Sequence, residues 1–219
     1  MPRSAAMSDP SWREFHAFWF PPGMERDDYD THRGRFLRWF RGGTTEGMRR
    51  FAPLLARARR CELDGWTSTA EGRLALVVLL DQAPRSLFAG TAEAFACDQF
   101  ALRHAEAALA SGDYAALRWP WEKTFILVAT SHAEGPDHLA RLDRAVALGE
   151  EIARACAEAW RPLYDHSARQ AAAHREVIAR FGRFPHRNAV LGRPSSPEEA
   201  AYVATGDFVH LRTPPSAAG

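Results

Sequence analysis

Glu71 to Gln82 reads EGRLALVVLLDQ, and every residue from Leu74 to Leu80 within it is apolar. A run of that length and composition suits a buried strand as well as a helix buried on most sides. Three features favour the helix. Ser68 and Glu71 have the spacing of a capping box, in which a serine hydroxyl and a glutamate carboxylate satisfy free backbone donors of the first turn. Ala75 lies inside the run, and the chain offers no second strand-like run for it to pair with. The stretch therefore reads as the central helix of an all-α protein.

Helix punctuation recurs on both sides of it. Asp9 before Pro10 resembles a cap with proline at the first helical position, leading into SWREFHAFWF, which Pro21 and Pro22 stop. A second helix is predicted over Asp30 to Phe40, ending at Gly42 and Gly43, and a third from Thr45 into the sixties. Thr91 can cap the alanine-rich stretch Ala92 to Ala110, which SGDY breaks. Further helices are predicted over Trp121 to Thr130, Leu139 to Leu163 and Ser167 to Phe181, the last closed by Gly182 in the left-handed conformation. Ser196, Pro197 and Glu199 make a second capping box, with the helix fading near Gly206. The expectation is one domain of about eight to nine helices over residues 9–206, with residues 1–8 and 207–219 as flexible termini.

Composition narrows the class. With 46% hydrophobic and 25% charged residues, the chain has the balance of a folded globular domain. Its longest apolar run falls far short of the roughly 18 residues needed to cross a bilayer, so no membrane association is expected. MPRSAAMSDP lacks the apolar core and cleavage site of a secretory signal. Cys61, Cys97 and Cys156 are widely spaced and odd in number, which argues against a disulfide framework or zinc ribbon and for a cytoplasmic setting. A formal net charge of +1 argues against a broad nucleic-acid-binding face. Lys123 is the only lysine, so any Schiff-base chemistry would have to use it.

Three polar stretches could carry chemistry. In LLDQAPRSLFAGTA, Asp81 and Arg85 stand four apart at the end of the apolar helix, where Pro84 is expected to end regular hydrogen bonding. In TSHAEGPDH, His132 and Glu134 lie two apart, so only a loop or helix end lets both face one site. Such a pair suits acid–base work near neutral pH. The third stretch, RFGRFPHRNAVLGR from Arg180 to Arg193, follows His174 and projects Arg183, His186, Arg187 and Asn188 from a bend held by Phe184 and Pro185. Arginine forks there could grip a carboxylate or phosphate at two points, or simply pair with Asp81, Glu134 or helix-end carbonyls. Nucleotide-binding, serine-hydrolase and HExxH signatures are missing.

These stretches resemble the bacterial family DUF924, whose members are all-helical with a tetratricopeptide-like fold. The resemblance runs from FWF at Phe18 to Phe20 through about Val203. It implies LLDQFPRN followed by FRGTA, then PF-x-HSE, then FGRFPHRN and LGR with ST-x-EE. The last block is present as FGRFPHRNAVLGRPSSPEE. The first departs at Ala83, Ser86 and Ala89, and the second across Ala129 to Ala133, so an enlarged or repurposed pocket is expected if the blocks line one site.

Together these readings predict a site binding a small anionic molecule, with Asp81, His132, Glu134 and His186 as the acid–base residues. Arg85, His174, Arg183, Arg187 and Asn188 would hold the ligand. No cofactor is predicted; a metal on His132, Glu134, His174 and His186 is the lesser variant. The rival reading is a tetratricopeptide-like scaffold binding a peptide or protein partner on an open concave face, without catalysis.

Overall fold

Helix α5, Ala70–Leu87, carries the run that decides the fold. The structure is a computed structural model and describes residues 11–216. Leu74 to Leu80 are each at most 1% exposed, because six other helices pack around α5. Its first turn is capped one residue later than the spacing predicts: the Thr69 hydroxyl accepts from the Gly72 N–H at 3.1 Å, while Ser68 closes a preceding 3₁₀ turn, Asp64–Ser68. Gly72 is required there, since a Cβ would sit 2.2 Å from the Trp66 carbonyl oxygen.

Contrary to expectation, Pro84 does not end α5. Proline takes one donor out of the helix and presses on the preceding turn. The helix nevertheless continues to Leu87, where the Phe88 N–H donates to the Pro84 carbonyl at 2.9 Å, and the Arg85 guanidinium ties the same turn by donating to the Asp81 carbonyl at 2.7 Å. The polar end of the helix is thereby held in place rather than frayed.

The other helices are α1 (Trp12–Trp19), α2 (Tyr29–Phe40), α3 (Thr45–Met48), α4 (Ala52–Arg59), α6 (Asp98–Ser111), α7 (Asp113–Ala116), α8 (Pro120–His132), α9 (His138–Ala155), α10 (Arg161–Phe181) and α11 (Pro197–Ala204). No strand occurs among the described residues, and the chain forms a single helical domain. Asp9 and Pro10 lie outside the described residues; α1 itself is capped by Ser11 in a box with Glu14.

Three predicted helices are divided. The run from Thr45 is cut by Pro53 at the start of α4. The stretch after Thr91 opens as a 3₁₀ turn, Ala92–Phe95, before α6 begins at Asp98. The predicted Leu139 to Leu163 helix stops at Ala155, because a helix running through Pro162 would clash at the Glu158 carbonyl; α10 restarts at Arg161 instead. Gly149 stands beside Ala168, and Leu142 shares an apolar cluster with Ile178, so α9 and α10 run antiparallel.

The main core centres on α5 and on an aromatic group in which Phe125 meets Trp19, Phe20 and Trp39 edge-on at ring separations of 5.4, 5.5 and 5.2 Å. Such contacts add to simple burial. A smaller cluster of Leu142, Val177, Ile178, Phe184 and Val209 fastens the bend after α10 onto α9 and α10. The segment from 207 makes contacts with the fold as far as Pro215. Val209 is buried, Gln170 donates to the Arg212 carbonyl, and Tyr29 and Arg33 donate to the Pro215 carbonyl.

Candidate functional site

Helix α5 delivers Asp81 and Arg85 to the end of the core, and α8 delivers His132 as its last residue. Asp81 is 1% exposed. Its Oδ1 meets His132 Nδ1 at 2.8 Å and its Oδ2 accepts from Gln82 at 2.6 Å. With Nδ1 so occupied, Nε2 is the His132 ring nitrogen left for another partner. Burial pushes the Asp81 carboxyl up, but Arg85, His132 and the two hydrogen bonds outweigh it and hold it well below the usual carboxylate range.

A second carboxylate organises the arginines. Asp98, in the first turn of α6, accepts a two-point fork from Arg85 at 2.8 and 3.0 Å and a third bond from Arg187 at 3.1 Å. Arg187 also donates to the His132 carbonyl at 2.9 Å, and its guanidinium is sandwiched 4.5 Å from the rings of both Phe95 and Phe184. Its Nε is buried with no partner among the described residues. Burial, helped by Arg85, lowers the Arg187 pKa to about 10 despite Asp98. Two arginines against two aspartates leave this cluster with no net charge.

Arg85, His132 and Arg187, with Phe95 and Phe184, form one wall of a cavity of about 550 Å³ that reaches between α2, α8, α9 and α10. Arg85, His132, His174, His186 and Arg187 all line it, so five of the predicted site residues are brought together. His210, from the C-terminal segment, joins them with its ring 4.7 Å from that of His186 and stacked on Phe208. Burial holds all four histidines below their ordinary range. His186 falls to about 3, with His210 and Arg187 adding to the effect, and His210 falls to about 4, with His132 and Arg187 adding. His174 lies well below, and His132 is lowered by burial and Arg85 against the pull of Asp81.

Four predicted residues are placed elsewhere. Asp81 stands behind His132 rather than at the cavity wall. Glu134 accepts from the Phe184 backbone at 2.8 Å and pairs with Arg193, which also donates to the Phe184 carbonyl at 3.2 Å. Arg183 forks onto Glu199 at 2.7 and 2.8 Å, and Asn188 donates to the Ser195 hydroxyl at 2.9 Å. These three form a clasp that fixes the bend. Accordingly His132 takes Asp81, not Glu134, as its carboxylate partner. Among the described residues no three His, Cys, Asp or Glu side chains converge in a metal-holding set.

Asp98, Phe95, His210 and Arg193 were not singled out from the sequence. Asp98 lies in an alanine-rich helix with partners 13 and 89 positions away, and His210 lies in the tail.

Residues 15–207 match a family described as "Bacterial protein of unknown function (DUF924)". No curated protein matches the chain. A solved protein of unknown function from Agrobacterium tumefaciens is similar, with 34% identity and a TM-score of 0.66 over 89% of this chain and 97% of that one.

Proposed function

The chain belongs to DUF924, a family whose description assigns no activity, and from the cavity itself we propose that the protein binds a small organic anion and moves a proton on it with His132. The carrying observation is the 2.8 Å contact between His132 Nδ1 and the fully buried Asp81. It fixes the ring and leaves Nε2 for a ligand, the arrangement a general base requires. Arg187 and Arg85 supply fixed donors beside it. Because their charges are already balanced by Asp81 and Asp98, an anion gains a counter-charge only when one of the four neutral histidines takes up a proton. Binding and protonation are therefore coupled, and the bound anion is what makes an acid available in the site.

The peptide-scaffold reading has less behind it. It needs an open face with exposed aromatics, whereas the only large hydrophobics exposed among the described residues are Phe40, Val190 and Leu211. The antiparallel α9–α10 pair supports a tetratricopeptide-like arrangement of helices even so. Three cysteines, all free, fit a cytoplasmic setting, and no helix among the described residues is long and apolar enough to cross a membrane.

The test is ligand-observed. Inorganic phosphate or small carboxylates at about ten times their Kd should raise Tm by about 3–5 °C, while neutral isosteres should not. The same anions should shift the His132 ring signals. In the free protein, Asp81→Asn should lower the His132 pKa further, because Asp81 is the charge that favours its protonated form. If no anion moves Tm or the His132 signals, the reading fails.

A further inference from the structure

The cavity extends well past its charged wall. On α8 the residues facing it are Thr124, Leu127, Val128, Ser131 and His132, a single stripe at helical spacing. On α10 they include Tyr164, Ser167, Ala171 and His174, another such stripe. The beginnings of these helices are adjacent, since the Trp121 and Trp160 rings lie 5.6 Å apart and both pack on His32. Further along, His132 at the end of α8 and His174 on α10 line the same cavity. The two stripes thus run side by side from an apolar end to a histidine end. At 1.5 Å per residue they span about 12–15 Å.

The arm between them is floored by Ala145, Gly149 and Ile152 of α9 and walled by Phe36 and Leu37 of α2. Its deeper polar atoms are turned elsewhere. Thr124 donates to the Pro120 carbonyl at 2.8 Å, and the Tyr164 hydroxyl meets His32 Nε2 at 2.8 Å. What the arm offers a ligand is mainly hydrocarbon surface, edged on α10 by Ser167 and by Gln170, whose amide nitrogen is engaged by His166 and the Arg212 carbonyl, while the opposite end offers Arg187, Arg85 and the histidines. A cavity of about 550 Å³ is also far larger than a lone phosphate or acetate fills.

We infer that the ligand is an amphipathic carboxylate, its head at Arg187 and His132 and its unbranched or aromatic body of about eight to ten carbons along the α8–α10 arm. This rests on the proposed anion-binding reading of the same cavity and adds the class of molecule to it. A single negative charge fits the head, because each unit of charge must be matched by protonating one histidine in a cluster that is otherwise neutral. The small residues Ala145, Gly149 and Ala171 keep the arm open.

Isothermal titration of the full chain with butyrate, octanoate, octan-1-ol and inorganic phosphate tests this without mutation. Octanoate should bind at least tenfold tighter than butyrate, and on the order of 100-fold tighter if all four extra methylenes are buried. It should take up about one proton at pH 7, read from the dependence of the heat on buffer ionisation, and octan-1-ol should bind at least tenfold more weakly. Ser167→Trp, at a half-buried position two turns from His174, should abolish the octanoate advantage and leave butyrate binding unchanged; Ala171→Leu provides a second obstruction. Equal binding of butyrate and octanoate would overturn the inference and leave the anion site standing, as would octan-1-ol binding as tightly as octanoate while butyrate still binds. If neither the carboxylates nor phosphate binds, both proposals fall.

Discussion

At the scale of single residues, Asp98 bears more of the site than any residue visible as a motif. Only 6% exposed, it accepts from Arg85 twice and from Arg187 once, and Arg187 is itself enclosed by two phenyl rings. Removing a carboxylate from such a group costs more than the pair's net contribution, because it leaves buried cations without a counter-charge. Asp98→Ala should therefore destabilise by about 3–5 kcal/mol, measured as a lower urea midpoint at unchanged m. Asp98→Asn should cost less, since the amide oxygen still accepts. A loss under about 1 kcal/mol for the alanine variant would mean that Asp98 does not hold the two guanidiniums.

At the scale of elements, the sequence was informative where a residue acts on its own neighbours. Gly182, predicted as the left-handed closure of α10, has φ +70° and receives no contact within 4 Å where a side chain would be added. Gly182→Ala should thus cost only the backbone strain, about 1–2 kcal/mol, seen as a Tm lower by about 2–8 °C. A larger loss would reveal a steric role that the open surroundings do not suggest. The Ser196 and Glu199 box was legible for the same local reason, and α5 was legible because its cap, its alanine and its lack of strand partners agreed. Legibility failed where direction in space decides. The residues from Arg183 to Asn188 read as one face of a bend, yet Pro185–Arg187 is a 3₁₀ turn that sends successive side chains about 120° apart. Only His186 and Arg187 reach the cavity; Arg183 and Asn188 go to Glu199 and Ser195. Glu134 diverged from His132 likewise, because α8 ends at His132 and the chain turns away. Asp98 and His210 had no local signal, since their partners are distant in the chain.

At the scale of the whole molecule, the histidines give the fold a common pH dependence. Eight of the nine sit below their ordinary pKa, with burial the largest cause in every case: His32, His104, His132, His138, His166, His174, His186 and His210. A folded-state pKa below the unfolded one means that the unfolded chain binds more protons between the two values. Stability must then fall as pH drops below about 6.5, and go on falling towards the folded pKa values near 4 and 3 of the most perturbed rings. His32 shows the size of the effect. It is 0% exposed, stacked on Trp160, bonded to Tyr164 and faced by Asp27 at 3.7 Å with Arg35 close by, and its pKa is lowered to about 4. At pH 5 it alone removes about 2 kcal/mol, before any contribution from the cavity histidines. Tm should therefore fall by at least about 4–8 °C between pH 7 and pH 5 at constant ionic strength. His32→Gln, a neutral replacement that cannot be protonated, should lower Tm at pH 7 but flatten that dependence. A Tm that holds steady to pH 5, or a variant with the same slope as the parent, would show that these rings are not held neutral by the fold. The same depressed histidines are the groups an anion must protonate on entering the cavity, so a ligand that binds there should stabilise the protein progressively more, relative to the free form, as pH is lowered from 7 towards 6.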